Sequence, residues 1–278
     1  MNIVIASGKG GTGKTLLATH LAQGVSEIRK VELLDCDVEE PNSHLFFNPE
    51  VLHMEAVKIL SPEINSQHCI GCNICSERCE FNALSVVNKQ VIFFPELCHS
   101  CGGCIIFCPT DAITKGDKIL GKIEYREADN FEIISGRLEI GSALAPEMIE
   151  KTIEKANKNK ISIIDSPPGT SCSAIAALSN ADFSIMVTEP TPYGLHDLKK
   201  AVLVAKKLEV QVGVVINKHQ DDKDIIAQYC QKENLPILIK IPYSKDIAEK
   251  YANGKLSINL IHELRPIMDE IERMVENE

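Results

Sequence analysis

The chain of 278 residues contains no apolar run approaching the roughly 18 to 20 residues that a membrane-crossing helix needs. It has no basic excess either: Lys and Arg number 29 against 39 Asp and Glu, for a net charge of -10. Without the positive footprint that phosphate-backbone binding requires, nucleic acid is not expected as a direct partner. Met1 to Ser7 has no positively charged region ahead of its apolar run, and Gly8 breaks that run too early for a secretory signal. The expected location is therefore cytoplasmic. None of the eight histidines has metal-ligand spacing. Against these absences stand eleven cysteines, eight of them between Cys69 and Cys108. In a long intracellular chain, clustering of this kind points to metal rather than to disulfides.

Hydrophobic residues make up 44% of the chain, ample for a core, and the length predicts one large domain or two smaller ones. Asn2 to Ala6 is a short apolar run ending in glycines, and Thr15 to Ile28 follows with helical spacing. Val31 to Leu34 is a second expected strand, ending in Asp35, Cys36 and Asp37. Ile161 to Ile164, Phe183 to Val187 and Val212 to Ile216 are continuous apolar runs, as strands of a parallel sheet covered on both faces should be. From 61 to 114 the rhythm stops and Cys, Pro, Asn and Ser take over. That segment repeats itself: CIGCNICSERCEFNAL from Cys69 is echoed by CHSCGGCIIFCPTDAI from Cys98. After it, Lys122 to Tyr125, Glu132 to Ile134 and Arg137 to Ile140 are expected as short strands around a turn at Ser135 and Gly136. The tail, Ser257 to Val275, spaces Leu260, Leu264, Ile267, Met268 and Ile271 on one helical face opposite acidic residues. An acidic face repels anionic lipid, so the tail is expected to pack on the core and not to anchor a membrane.

Gly8 to Thr15 reads GKGGTGKT and satisfies G-x-x-x-x-G-K-[ST] between an expected strand and an expected helix. Backbone amides of Gly8, Gly10, Gly11, Thr12 and Gly13 must turn inward on phosphate oxygens, at distances and in conformations that a Cβ obstructs. The helix N-terminus adds partial positive charge. Lys14 is expected to neutralise the β and γ phosphates and Thr15 to ligate Mg2+.

Lys9, just after the first glycine, makes this loop resemble the deviant P-loop of the MinD, ParA and nitrogenase iron protein superfamily. That resemblance implies an ATP-sandwiched homodimer in which Lys9 reaches the nucleotide of the facing subunit, with Lys9, Lys14 and Asp37 as the catalytic set. LLDCD, ending at Asp37, resembles the first switch, where the last Asp orients the attacking water or the Mg2+ shell. DSPPG, from Asp165 to Gly169, resembles the second switch, with Asp165 near Mg2+ and Gly169 near the γ phosphate. Asn217 resembles the adenine-reading asparagine. Gln220 stands where a guanine reader would carry Asp, so ATP is favoured over GTP. Thr188 to Pro192, Asp197 and Ile241 to Ser244 are weaker matches to the same pattern.

Cys69, Cys72, Cys75 and Cys79 follow C-x2-C-x2-C-x3-C, and Cys98, Cys101, Cys104 and Cys108 repeat it. This resembles the bacterial two-cluster ferredoxin, in which the fourth cysteine of each run crosses to the other cluster. One 4Fe-4S cluster then takes Cys69, Cys72, Cys75 and Cys108; the other takes Cys98, Cys101, Cys104 and Cys79. Two four-cysteine zinc sites are the alternative, although zinc knuckles usually separate their pairs by a longer loop. Glu80 stands where the ferredoxin pattern has proline. Cys172 lies where the nitrogenase iron protein places a cluster ligand, but no cysteine between Cys108 and Cys172 supplies the second ligand, so it is expected as a small buried residue. Cys36 and Cys230 are read as ordinary thiols.

The expected fold is α/β: a P-loop domain with a mostly parallel sheet flanked by helices, over 1–60 and 115–278, and an inserted α+β bacterial-type ferredoxin domain over 61–114. The expected function is an ATPase, slow and partner-stimulated, that couples nucleotide state to electron transfer or to cluster or metallocofactor delivery to a client protein. The alternatives are a positioning ATPase with redox-sensing clusters and a non-catalytic cluster scaffold.

Overall fold

A computed structural model describes residues 1–220 and 225–276. The chain runs β1 (Asn2–Ala6), α1 (Lys14–Ser26), β2 (Val31–Asp35), a 3-10 turn (Ser43–Phe46), β3 (Val51–Ile64), α2 (Ile74–Glu77), β4 (Leu84–Val87), β5 (Gln90–Phe93), α3 (Gly103–Ile106), β6 (Ile113–Ala128) and β7 (Phe131–Leu138). It continues with α4 (Ala145–Ile153), β8 (Ile161–Asp165), α5 (Cys172–Leu178), β9 (Phe183–Thr188), α6 (Pro192–Lys207), β10 (Gln211–His219), α7 (Ile225–Glu233), β11 (Ile237–Pro242), α8 (Lys245–Ala252), α9 (Ile258–Glu263) and α10 (Arg265–Glu276).

Two compact units result, one of Met1–Met54, Ile123–Arg137 and Pro146–Glu278, the other of Glu55–Lys122 and Leu138–Ala145. The expected insert, 61–114, lies inside the second unit, which is wider because β3 and β6 carry strand structure beyond both of its ends.

The first unit is built on parallel strands in the order β11-β10-β9-β1-β8-β2-β7. Their uninterrupted apolar sequences follow from burial on both faces: β1, β8 and β9 are buried almost throughout. Ile3, Ile5, Ile163 and Ile185 meet Leu17 and Leu21 of α1, and Leu260, Leu264, Ile267 and Ile271 of the tail close the same core. Burial of a side chain of this size stabilises by roughly 1.5 to 3 kcal/mol, and this core holds many of them. α1 and α10 approach closely at Gly24, where a Cβ would lie 1.9 Å from the Met268 side chain.

The structure corrects three expectations here. The tail is two helices, not one continuous face, because Pro266 stands in the first turn of α10 and cannot donate to the preceding turn. No turn occurs at Ser135 and Gly136; β7 runs straight through them, and the turn lies at Asp129 and Asn130. Gly136 is instead a point of close packing, where a Cβ would lie 2.2 Å from the Thr152 hydroxyl of α4. Cys172 is exposed, not buried, at the first position of α5.

The second unit has a much smaller core. Cys75, Leu84 and Ile113 form one buried cluster, flanked by Ile64, Val86, Val91, Phe93 and Ile105, and Val57, Ile59 and Leu120 are buried elsewhere in the unit. β4 and β5 form an antiparallel hairpin whose two turn residues, Asn88 and Lys89, both have positive φ, as a type I′ turn requires. The repeat seen in the sequence recurs in the backbone: Gly71, Asn73 and Asn82 are left-handed, and so are their counterparts Ser100, Gly102 and Asp111.

Candidate nucleotide site and cysteine cavities

The loop from Gly8 to Thr15 joins β1 to α1 at the carboxyl end of the parallel strands. Gly11 and Gly13 have φ of +75° and +101°, a region that a side chain disfavours. A Cβ on Gly8 would lie 2.2 Å from the backbone oxygen of Asp197 in α6, and one on Gly13 would lie 2.3 Å from Asn217 Nδ2. Packing therefore explains Gly8 and Gly13 and backbone conformation explains Gly11, but neither explains Gly10, which has room for a Cβ.

Gly10, Gly11, Gly13, Lys14, Thr15, Asp37 and Asn217 line one cleft of about 400 Å³, together with Pro242, Tyr243, Ile247 and Tyr251. That size falls within the range of small-ligand sites. A larger groove of about 620 Å³ between α6 and α7 carries none of these groups.

Behind the loop the charges are crowded. Burial lowers the pKa of Lys14, opposed by Asp165 and Asp37. Asp165 is fully buried and pushed up to about 7, first by burial and then by Asp35, while Thr15 and Lys14 favour its ionised form. Its Oδ1 has no hydrogen-bond partner among the described residues; its Oδ2 accepts from the Ser43 hydroxyl at 3.4 Å. Burial likewise raises Asp35 to about 6, although its carboxylate accepts from the backbone N–H of Asn42 and Ser43, each at 2.8 Å, and of Asp37 at 3.2 Å. Asp35 thus ties down the loop that presents Asp37. Burial raises Asp37 as well, with Lys14 opposing. Two buried carboxyls with raised pKa beside an orphan oxygen form a site short of positive charge, as a divalent cation would correct.

The remaining expected residues surround this centre. Gly169, with φ +91°, donates its N–H to the Ser7 carbonyl at 2.9 Å and so holds the Asp165–Gly169 segment against the start of the glycine-rich loop. Asn217 donates from Nδ2 to the Thr12 carbonyl at 2.7 Å and accepts the Lys218 N–H at 2.9 Å, leaving one N–H and one lone pair for a ligand. The Thr12 hydroxyl is buried without a partner among the described residues. Lys9 turns away from the cleft onto Glu189, Nζ to Oε2 3.0 Å, and Lys218 holds the other carboxylate oxygen at 2.6 Å.

The cysteines of the second unit divide between two cavities. One is lined by Cys69, Cys72, Cys75 and Cys108, the other by Cys79, Cys98, Cys101 and Cys104. The fourth thiol of each run has crossed to the other run's cavity. Backbone N–H groups of Ala83 and Ser100 point at the sulfurs of Cys79 and Cys98 at 3.3 and 3.5 Å. Burial pushes Cys108 up, but N–H groups of Thr110, Ile113 and Ala112 outweigh it and lower its pKa. Burial, with the neighbouring Cys98 and Cys101, drives Cys104 to about 11, the opposite tendency within the same module. Among the described residues no three His, Cys, Asp or Glu side chains converge on a single ion-sized point.

The sequence profile of the CobQ/CobB/MinD/ParA nucleotide binding domain matches residues 3–258. The chain belongs to this family. An uncharacterized protein of Methanocaldococcus jannaschii is 34% identical over 98% of the chain and 96% of its own length. The iron-sulfur cluster carrier protein of the same organism is 26% identical, over 83% of the chain and 62% of its own length. Among solved structures, the septum site-determining protein MinD of Pyrococcus horikoshii, complexed with Mg-ADP, matches with a TM-score of 0.61 at 19% identity, covering 99% of this chain and 96% of that one. The chain shares with the MinD structure a mostly parallel sheet with flanking helices. No described helix is long and apolar enough to cross a membrane.

Glu189, Ser43 and Tyr251 were not singled out in the sequence as parts of the site. Glu189 falls in a stretch whose resemblance to the family was visible, Thr188 to Pro192, and Ser43 follows the first switch closely. For Tyr251 the sequence carries no signal, since nothing local relates it to Thr15.

Proposed function

We propose that this chain is an ATP-binding and ATP-hydrolysing iron-sulfur protein that couples nucleotide state to electron transfer, or to delivery of clusters or metallocofactors, through a client protein. The observation that carries the reading is the division of eight thiols into two rings of four by exchange of Cys79 and Cys108. Rings that enclose a cavity suit a cubane, whose four irons are each held by one thiolate. A zinc ion would draw four sulfurs to about 2.3 Å of one point, which these thiols do not share. The N–H groups directed at Cys79 and Cys98 add the hydrogen bonds to sulfur that tune such clusters. The similarity to an iron-sulfur cluster carrier supports the same reading.

The cleft of the first unit fits ATP with Mg2+. Its loop glycines leave the backbone amides open, Lys14 supplies phosphate charge, and Thr15 with Asp165 would hold the cation; Mg2+ supplies charge neutralisation of the transferring phosphoryl group. Asp37 orients the attacking water. In a homodimer that sandwiches two nucleotides, Lys9 exchanges Glu189 for a phosphate of the facing subunit. Asp37 leads through the 3-10 turn into β3, the strand on which the chain enters the cysteine-rich unit, so the first switch and the cluster unit are close in sequence.

Anaerobic reconstitution tests this directly. About eight irons per chain with the spectroscopic signature of 4Fe-4S clusters, steady-state ATP hydrolysis, and a cluster potential or client affinity that differs between ADP and a slow ATP analogue are expected. Zinc in place of iron overturns the cluster assignment, absence of hydrolysis leaves a scaffold, and nucleotide-independent clusters remove the coupling.

A further inference from the structure

Three neighbouring strands of the sheet, β10, β9 and β1, end side by side at the nucleotide cleft. β1 runs into the glycine-rich loop and Lys9, and β10 carries Asn217 and Lys218 near its end. Glu189 follows the last residue of β9, so the strand order alone sets it between the two lysines. Its carboxylate holds both: Lys9 Nζ lies 3.0 Å from Oε2, and Lys218 Nζ lies 2.6 Å from Oε1. Burial works against the charged carboxylate, but the two ammonium groups outweigh it and hold the carboxyl below its usual range.

The backbone at Glu189 is pinned. Its carbonyl accepts the Thr191 N–H at 2.8 Å, and a Cβ on Gly194 would lie 2.2 Å from that same oxygen. Thr188 donates its hydroxyl to the Gly194 carbonyl at 3.1 Å, and the Thr191 hydroxyl accepts the Gly194 N–H at 3.0 Å as the cap of α6. The carboxylate is therefore the fixed member of the trio, whereas Lys9 has a flexible four-carbon stem and can leave. When it does, Lys218 remains. An acid whose side chain is only 15% exposed is costly to strand without a counter-ion, and the shorter of its two ion pairs survives the departure of Lys9. A terminal phosphate carries more negative charge than one carboxylate, so it can take Lys9 from Glu189.

We propose that Glu189 is a positioning residue that withholds Lys9 from the nucleotide of the facing subunit until dimerisation draws it across, with Lys218 as the counter-ion that keeps the release reversible. The proposal rests on the reading of the chain as an ATP-sandwiched homodimer. It deepens that reading by assigning the threshold for assembly to an acid outside the P-loop and both switches.

The test uses full-length wild type, Glu189→Gln and Lys218→Met. The monomer–dimer equilibrium is measured by sedimentation in saturating Mg2+ and a slow ATP analogue, ADP affinity by calorimetry, and acylation of the Lys9 amine by mass spectrometry of nucleotide-free protein. Glu189→Gln keeps the shape of the side chain and removes its charge. It is expected to tighten the dimer about tenfold, because each of two subunits gives up one ion pair worth a factor of a few. Lys9 should be acylated faster in this variant, and ADP affinity should change by less than about twofold, since Lys9 acts on the other subunit's nucleotide. Lys218→Met leaves Lys9 as the printed partner of the carboxylate and is expected to weaken the dimer and slow Lys9 acylation. A Glu189→Gln dimer no tighter than wild type, Lys9 acylation that ignores both substitutions, or ADP affinity raised as much as dimer affinity overturns the proposal while the sandwich stands. Wild type that binds the analogue and stays monomeric removes the sandwich and the proposal with it, and failure to bind either nucleotide sinks the site itself.

Discussion

The two units hold their candidate sites by different means. In the first, a large apolar core of sheet and helices fixes the P-loop before any ligand arrives, so glycines, Asp35 and Asn217 are locked by packing and hydrogen bonds. In the second, the buried hydrophobics are few, among them Cys75, Leu84 and Ile113 with Val57, Ile59 and Leu120, and one of these is itself an expected ligand. A core that small rarely sustains a fold alone; staples of metal or disulfide make up the difference. The comparison teaches that the first unit has a core to stand on without a ligand, whereas the thiols of the second are part of its small core.

Removal of iron should break the comparison most sharply. After anaerobic chelation, amide protection across 55–122 is expected to fall more than about a hundredfold, while β1 and β8 keep theirs. Equal protection before and after would show that the second unit stands without its clusters. The converse perturbation is Lys14→Ala, with an expected loss of about a hundredfold or more in ATP turnover, since one charge on the transferring phosphate is removed. Iron content should be unchanged, and a parallel loss of iron would mean that the units do not fold separately.

Stability against pH separates the units further. His20 in α1 is buried, its Nδ1 bonded to the Leu16 carbonyl at 2.7 Å and its Nε2 accepting the Ser257 N–H at 2.9 Å, and burial lowers its pKa to about 4. The unfolded chain takes up a proton near pH 6.5 and the folded one only near 4, so the stabilisation is complete above pH 6.5 and is lost as pH falls toward 4. Between those values the first unit of wild type should lose about 2 to 3 kcal/mol more than that of His20→Gln in urea titrations. Identical slopes would place the pH dependence elsewhere. The smallest effect is expected for Lys118→Ala, whose ammonium donates to the carbonyls of Pro95 and Cys98 at 3.0 and 2.9 Å. Its loss should cost about 1 kcal/mol, confined to the second unit and seen as faster release of one cluster on chelation.

Legibility differed with the range of the constraint. The P-loop and the cysteine repeat are local, and every residue of their patterns declares itself within a few positions of the next. Ser135 and Gly136 look like a turn in the sequence, yet Gly136 lies within a strand and its small size answers Thr152 on a later helix. Cys172 was expected buried because most free cysteines are; its exposure is decided by which side of α5 faces β1. Lys9 was visible as a loop cation, but not its hold on Glu189, far along the chain.

Residue order alone determined the glycine-rich loop pattern, the cysteine spacing and the duplication, because each is written in backbone conformations or ligand intervals that short stretches specify. Only the tertiary structure decided which thiols share a cavity, where Lys9 rests, how Asn217 braces the loop, and that Tyr251 lines the same cleft as Thr15. Those are contacts between residues distant in the chain, and packing alone sets them.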